Sequence, residues 1–228
     1  MGGGYIGVEM AENLAAAGLA VRVKDEKGEG EIPADMLIMA VGDAVEVTDF
    51  VSGQKAVVPL AGPVNKQGRI TADNICGLKS SYTGTQGSAI LKVFDLTVAC
   101  AGVNEKTAKR LGLGYEKSFT CSAFYAGYYP GAVNMSVKII FEKQSGKILG
   151  TQITGYEGLD KRCDVIASAI RFGGIAADLA RLELCYAPPC SSTKDPVNMA
   201  GFVIENITGG RVKIFTGTMW KTCPGTAV

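Results

Sequence analysis

The sequence predicts an α+β domain over its second half, preceded by an abbreviated α/β nucleotide-binding (Rossmann-like) segment. Three observations lead there. A glycine-rich turn, Gly2-Gly3-Gly4-Tyr5-Ile6-Gly7, opens the chain and runs into residues of helical period. From Ser88 onward strand-like stretches take over, and Val133 to Phe141 and Lys147 to Thr154 flank Gln144-Ser145-Gly146 as the arms of an antiparallel hairpin. Helical segments then follow, the first amphipathic, and the first and last closed by glycine.

Composition narrows the function classes. The 228 residues are 47% hydrophobic and 20% charged, with 23 Lys and Arg against 22 Asp and Glu, a net charge of +1. Such a chain forms a core of one large domain, or of one ordinary domain with an appendage, and is neither disordered nor collagenous. Lys and Arg are scattered singly, so no electrostatic footprint for nucleic acid is expected. No apolar run approaches the roughly 20 residues of a membrane helix, and no basic-then-apolar leader follows Met1. A cytoplasmic location without membrane partners is the expectation. Histidine is absent, which removes Ser-His-Asp and Cys-His catalysis and the commonest metal ligand together. The seven cysteines never form a C-x-x-C pair, so no metal site is expected, and they read mostly as small buried hydrophobes. A reactive thiol at Cys185 or Cys190, which bracket Pro188-Pro189, is the alternative.

Taken in order, the glycine turn continues into a helix with Ile6, Met10, Leu14 and Ala17 on one face, ended by Gly18. Leu19 to Val23 is an apolar strand that finishes at Asp25, near the distance at which an acidic residue holds an adenosine ribose. The fingerprint ordinarily follows a strand, and none precedes Gly2 in this sequence, so a tight turn at a helix start is the competing reading. Lys24 to Glu31 is a charged connection and Ile32 to Val41 a buried strand-like run leading to Gly42-Asp43-Ala44. Pro59 to Pro63 starts a helix through Ile75 with Asn65, Lys66 and Arg69 exposed, ended by Gly77.

Beyond it, Ile90 to Thr97 is a weakly alternating strand, Glu105 to Leu111 a short helix and Ser118 to Tyr125 a strand. Leu159 to Phe172 is an amphipathic helix with Arg162, Asp164 and Arg171 outside and Val165, Ile166, Ala169 and Ile170 inside. Ile175 to Leu182 is a second short helix. Asp195-Pro196 opens a third that reaches Ile207, with Asp at the N-cap and Pro in the first turn.

The opening glycine motif, then Val41-Gly42-Asp43-Ala44, Tyr128-Tyr129-Pro130-Gly131-Ala132, Asp160-Lys161-Arg162, Tyr186-Ala187-Pro188-Pro189 and Lys194-Asp195-Pro196-Val197-Asn198 together resemble the pyridine nucleotide-disulfide oxidoreductases. The similarity is greatest to the coenzyme A-disulfide reductase and NADH oxidase branch. The resemblance implies FAD and NAD(P)H as cofactors, a homodimer, and a small-molecule disulfide such as coenzyme A disulfide as substrate. It implies that Gly2, Gly4, Gly7 and Asp25 descend from the NAD(P)H site. Gly42 and Asp43 would come from the second flavin motif, with Asp43 meeting a ribityl hydroxyl, and the Ala61 N–H would face the flavin pyrimidine edge. Tyr128 and Tyr186 correspond to two catalytic tyrosines that cross the dimer interface and hydrogen-bond the partner's redox thiolate.

The implied organisation is a partial NAD(P)H-binding segment at 1–40, a partial FAD-binding segment at 41–105, a dimerisation domain at 106–210 and a tail at 211–228. Nothing in the sequence matches the family's leading FAD domain with its redox cysteine, nor most of its NADH domain. The chain therefore reads as an incomplete family member, and a non-catalytic dimerisation module or gene fragment is the alternative.

Overall fold

The computed structural model describes residues 23–25, 28–30 and 40–214, in two compact units, Met1–Gly87 and Ser88–Val228. In the first, β1 (Val23–Asp25) pairs antiparallel with β2 (Gly28–Gly30). The stretch from Lys24 to Glu31, expected as a connection, thus contributes two short strands. Ladder hydrogen bonds use backbone groups only, so a charged stretch pairs as readily as an apolar one when its register is available. Residues 31–39, where a buried strand is expected, lie outside the described residues.

Gly42–Ala44 form one 3₁₀ turn, followed by β3 (Glu46–Thr48) and β4 (Lys55–Val57), an antiparallel pair. Asp49 closes their connection by accepting hydrogen bonds from the Ser52 N–H at 2.7 Å and the Ser52 hydroxyl at 2.6 Å. Helix α1 (Ala61–Ile75) begins as its prolines predict, since Pro63 lies in the first turn, where no intrahelical N–H is lost. Asn65, Lys66 and Arg69 are exposed as expected.

The second unit is a five-stranded antiparallel sheet of β5 (Ala89–Val93), β6 (Leu96–Gly102), β7 (Tyr115–Ala123), β8 (Asn134–Glu142) and β9 (Ile148–Gly155), in the order β5-β6-β9-β8-β7. The single strand expected from Ile90 to Thr97 is instead a hairpin, with Val93 opposite Leu96. No glycine, proline or asparagine marks that turn. Phe94 carries the positive φ of 53° that Gly or Asn would normally supply, so the local chemistry hid the break. The β8–β9 hairpin around Gly146 forms as the alternation predicts, with a bulge at Ile140/Phe141 that lets Ile139, Ile140 and Phe141 all be buried.

One sheet face is covered. Thr120, Val137, Ile153, Ala99 and Ile90 stand in one cross-strand row of that face. Helices α3 (Leu159–Arg171) and α5 (Pro196–Thr208) pack over it, with α2 (Glu105–Arg110) between β6 and β7 and α4 (Ala176–Arg181) beside α5. Leu159, Ile166, Ile170, Leu179, Val197 and Ile204 fill the core at 2% exposure or less. Burying such side chains stabilises by about 1.5–3 kcal/mol each.

Two expectations are corrected here. Arg162, expected outside, is 1% exposed. It stands four residues before Ile166 on the helix and so belongs to the inward stripe, where a carboxylate compensates its charge. Of the described cysteines only Cys163 is buried, while Cys76, Cys121, Cys185 and Cys190 are exposed. Cys76 caps α1, Cys121 lies on the uncovered sheet face, and the other two sit in a loop, positions that burial statistics for cysteine do not see. Among the described residues no helix is long and apolar enough to cross a membrane.

Candidate functional site

Two loops at one end of the sheet bring the site together. The first, residues 124–133, joins β7 to β8 and carries Tyr128; the second, residues 182–195, joins α4 to α5 and carries Tyr186. Although 58 residues separate them, the hydroxyls of Tyr128 and Tyr186 lie 3.3 Å apart. Both rings are open to solvent, at 78% and 45% exposure. Either hydroxyl can donate to the other. Whichever does, one O–H proton remains for a third group, and a hydroxyl that is itself accepting a hydrogen bond is polarised into a better donor. Tyr186 holds its proton more tightly than a free tyrosine, first because of the hydrogen bond with Tyr128, then through desolvation and the charge Tyr128 would carry. Tyr186 therefore stays a neutral O–H at physiological pH.

The tyrosine loop of β7–β8 is stiffened by its neighbours. The Tyr125 hydroxyl donates to the Pro130 carbonyl at 2.9 Å, and the Tyr125 and Tyr129 rings meet edge to face with centroids 5.7 Å apart.

Below both loops lies a buried polar cluster that the sequence reading missed. Arg162 donates through Nε and an Nη to one carboxylate oxygen of Asp195, at 3.1 and 2.8 Å, with both side chains 2% exposed. The same Nη reaches the Phe124 carbonyl at 2.7 Å and the Ser191 hydroxyl at 3.0 Å, and the other Nη reaches the Gly158 carbonyl at 3.2 Å. The Ser191 hydroxyl donates to Asp195 at 2.8 Å, and the second Asp195 oxygen accepts the Val197 N–H at 3.0 Å, capping α5. Gly158 has φ +69°, and a Cβ there would stand 2.7 Å from the Arg162 guanidinium and 3.0 Å from the Phe124 ring. The one available signal was the pairing of Asp160-Lys161-Arg162 with Lys194-Asp195, opposite charges at the two loop roots.

Other expected site residues fall in the first unit. Gly42 has φ +81°, its N–H donates to the buried Gln67 amide oxygen at 2.7 Å, and a Cβ would press on Val64 at 3.0 Å. That contact ties the turn onto α1 and leaves the Asp43 carboxylate exposed. Ala61 is the first residue of α1, whose start has no side-chain cap, so its N–H groups there are open donors at the positive helix end. An exposed carboxylate acceptor and exposed N–H donors are the groups a flavin's ribityl hydroxyl and pyrimidine edge call for, so these residues fit that part of FAD. Asp25 ends β1, whereas Gly2, Gly4 and Gly7 lie outside the described residues.

Comparison with known proteins now decides the family. Residues 88–196 match the family described as pyridine nucleotide-disulphide oxidoreductase, dimerisation domain. The chain carries a dimerisation domain of this family. That domain is the α+β sheet unit, and both tyrosines and the Arg162 cluster lie within it.

The chain is 36% identical over 180 residues to the NADH oxidase of Methanocaldococcus jannaschii, covering 77% of this chain and 38% of that protein. It is 33% identical over 166 residues to the coenzyme A disulfide reductase of Staphylococcus epidermidis, covering 72% and 37%. The solved structure of reduced Bacillus anthracis CoADR-RHD superposes with a TM-score of 0.82 at 44% identity, covering 93% of this chain and 39% of that one. A NAD-dependent persulfide reductase from A. fulgidus superposes at 0.77 with 40% identity, covering 80% and 34%. The chain thus spans well under half the length of each of these relatives.

Proposed function

We propose that the chain supplies the dimerisation part of an FAD-dependent NAD(P)H:disulfide oxidoreductase of coenzyme A-disulfide reductase type, in which Tyr128 and Tyr186 serve the redox sulfur of a partner subunit. The observation that carries this reading is the 3.3 Å approach of the two hydroxyls from separate loops. A thiolate is a weak, diffuse acceptor, and the O–H that the tyrosine pair leaves unused, polarised by the hydrogen bond its own oxygen accepts, is the donor this reading assigns to it. The pair would steady a thiolate between attacks on a disulfide, and so favour the sulfur that departs or waits as an anion.

FAD, when bound, carries electrons from NAD(P)H to the disulfide, and Asp43 with the Ala61 N–H would hold its ribityl and pyrimidine ends. Homodimer formation is supported by the domain's family and by large side chains left in solvent, with Phe94 at 93% and Phe119 at 67% exposure. A non-catalytic dimerisation module is the second reading, favoured by the family match falling on residues 88–196 only.

The test is the visible spectrum of the purified chain after incubation with FAD and desalting, followed by NADH oxidation with coenzyme A disulfide as acceptor. Retained flavin and disulfide-dependent oxidation, lowered in Tyr128→Phe and Tyr186→Phe, support the enzyme reading. A colourless, inactive, dimeric protein supports the module.

A further inference from the structure

We infer that Arg162, Ser191 and Asp195 form a clasp that positions the Tyr128–Tyr186 pair, so that these three residues are positioning residues of the proposed site. The inference rests on the proposed role of the two tyrosines. Its basis is where the clasp grips. Phe124, whose carbonyl Arg162 holds at 2.7 Å, roots the Tyr128 loop four residues before that tyrosine. Ser191, whose hydroxyl sits between Arg162 and Asp195 at 3.0 and 2.8 Å, lies five residues after Tyr186. The two loops also bond directly, with the Ala126 N–H donating to the Ser191 carbonyl at 3.1 Å. Ser191 is thus the junction, with its carbonyl on one loop and its hydroxyl on the clasp.

The far side of the Tyr186 loop is held as well. Lys161, next to Arg162, reaches the Cys185 carbonyl at 3.4 Å, and Asn198 reaches the Leu182 carbonyl at 2.9 Å. The sequence motifs around 160–162 and 194–198 therefore converge on one task, fixing two loop ends relative to α3 and α5.

Stability alone does not call for this arrangement. A buried ion pair is often no more stabilising than well-packed apolar residues of the same volume, whereas its directional hydrogen bonds fix geometry. Geometry matters here because 3.3 Å is already beyond the usual O–H···O distance, so a displacement of a few tenths of an ångström decides whether the tyrosine bond exists.

The test reads the tyrosine bond itself. Ionisation of Tyr186 is followed by phenolate absorbance in the full chain, as the difference between each protein and its Tyr186→Phe derivative. Parent, Tyr128→Phe, Ser191→Ala, Arg162→Lys and a packing control, Ile204→Val, are compared, with far-UV circular dichroism and melting temperature recorded for each.

In the parent the midpoint lies above that of Tyr128→Phe by about half a pH unit or more, the size a neutral hydrogen bond carries. Ser191→Ala and Arg162→Lys bring it down to the Tyr128→Phe value, while Ile204→Val, though destabilised, leaves it at the parent value. Should Arg162→Lys not fold, Ser191→Ala decides by itself. A folded Ser191→Ala with the parent midpoint overturns the clasp and leaves the tyrosine pair standing. A parent midpoint equal to that of Tyr128→Phe overturns the pair, and the clasp with it. Loss of the bond in Ser191→Ala, with NADH oxidation indifferent to both Tyr→Phe changes, sustains the clasp and overturns the catalytic reading.

Discussion

Replacing Asp195 by Ala should be among the most destabilising single changes in the sheet unit. Two losses combine. The carboxylate caps α5 through the Val197 N–H at 3.0 Å, and losing such a cap costs about 1 kcal/mol. The larger loss is the countercharge. Arg162 has a side chain only 2% exposed, and in Asp195→Ala it keeps the Phe124, Gly158 and Ser191 oxygens but no anion. Breaking a buried pair from one side costs about 3–5 kcal/mol. The expected loss is therefore about 4–6 kcal/mol, a large part of the stability of an ordinary domain.

The suitable assay is hydrogen-exchange mass spectrometry across a urea series, read on peptides from β8, β9 and α3, so that this unit is followed separately from the other. At a urea dependence of about 2 kcal/mol per molar, the midpoint falls by about 2–3 M. Arg162→Met combined with Asp195→Ala should cost less than Asp195→Ala alone, because no charge is then left buried. A loss for Asp195→Ala below about 1 kcal/mol, the level of a solvent-exposed pair, would refute the reasoning.

Gly201→Ala should destabilise by about 1–3 kcal/mol in thermal melts, opposite to the gain helix propensity alone implies, because its Cβ would stand 2.5 Å from the Ala180 backbone nitrogen where α5 crosses α4. Glu105 accepts from Lys117 at 2.7 Å and Lys138 at 2.6 Å, and chiefly these bonds hold its carboxyl well below the usual carboxylate range. A depressed native pKa stabilises above the unfolded value of about 4.3 and loses that stabilisation as pH falls below it. Denaturation midpoints of Glu105→Gln should thus approach those of the parent as pH drops from 5 toward 2, and a constant gap would count against the pairings. Burial pushes the Cys163 thiol up to about 12, helped by Cys100 and Asp164. Iodoacetamide at pH 8 followed by peptide mapping should label Cys121, Cys185 and Cys190 in the folded chain and leave Cys163 unmodified until urea is added.

The sequence by itself determined the elements whose cues are local. Asp195-Pro196 marks the start of α5, Gly146 the β8–β9 turn, and the helical spacing of Ile166 and Ile170 the buried stripe of α3, because caps, turn residues and periodicity act within a few residues. Where the local cue was missing the reading failed, as at Phe94, which takes a left-handed conformation without being glycine or asparagine.

Arg162 shows the other limit. Charge argues for the surface, and only Asp195, 33 residues later, together with the Phe124 and Gly158 carbonyls, makes its burial favourable. Motif resemblance named Tyr128 and Tyr186 as a pair aimed at a partner's thiolate, without the bond between them or the groups that hold their loops. Tertiary structure decided that they meet and what lies beneath them, because a contact across 58 residues depends on how two loops are anchored, and anchoring is a property of the packed core.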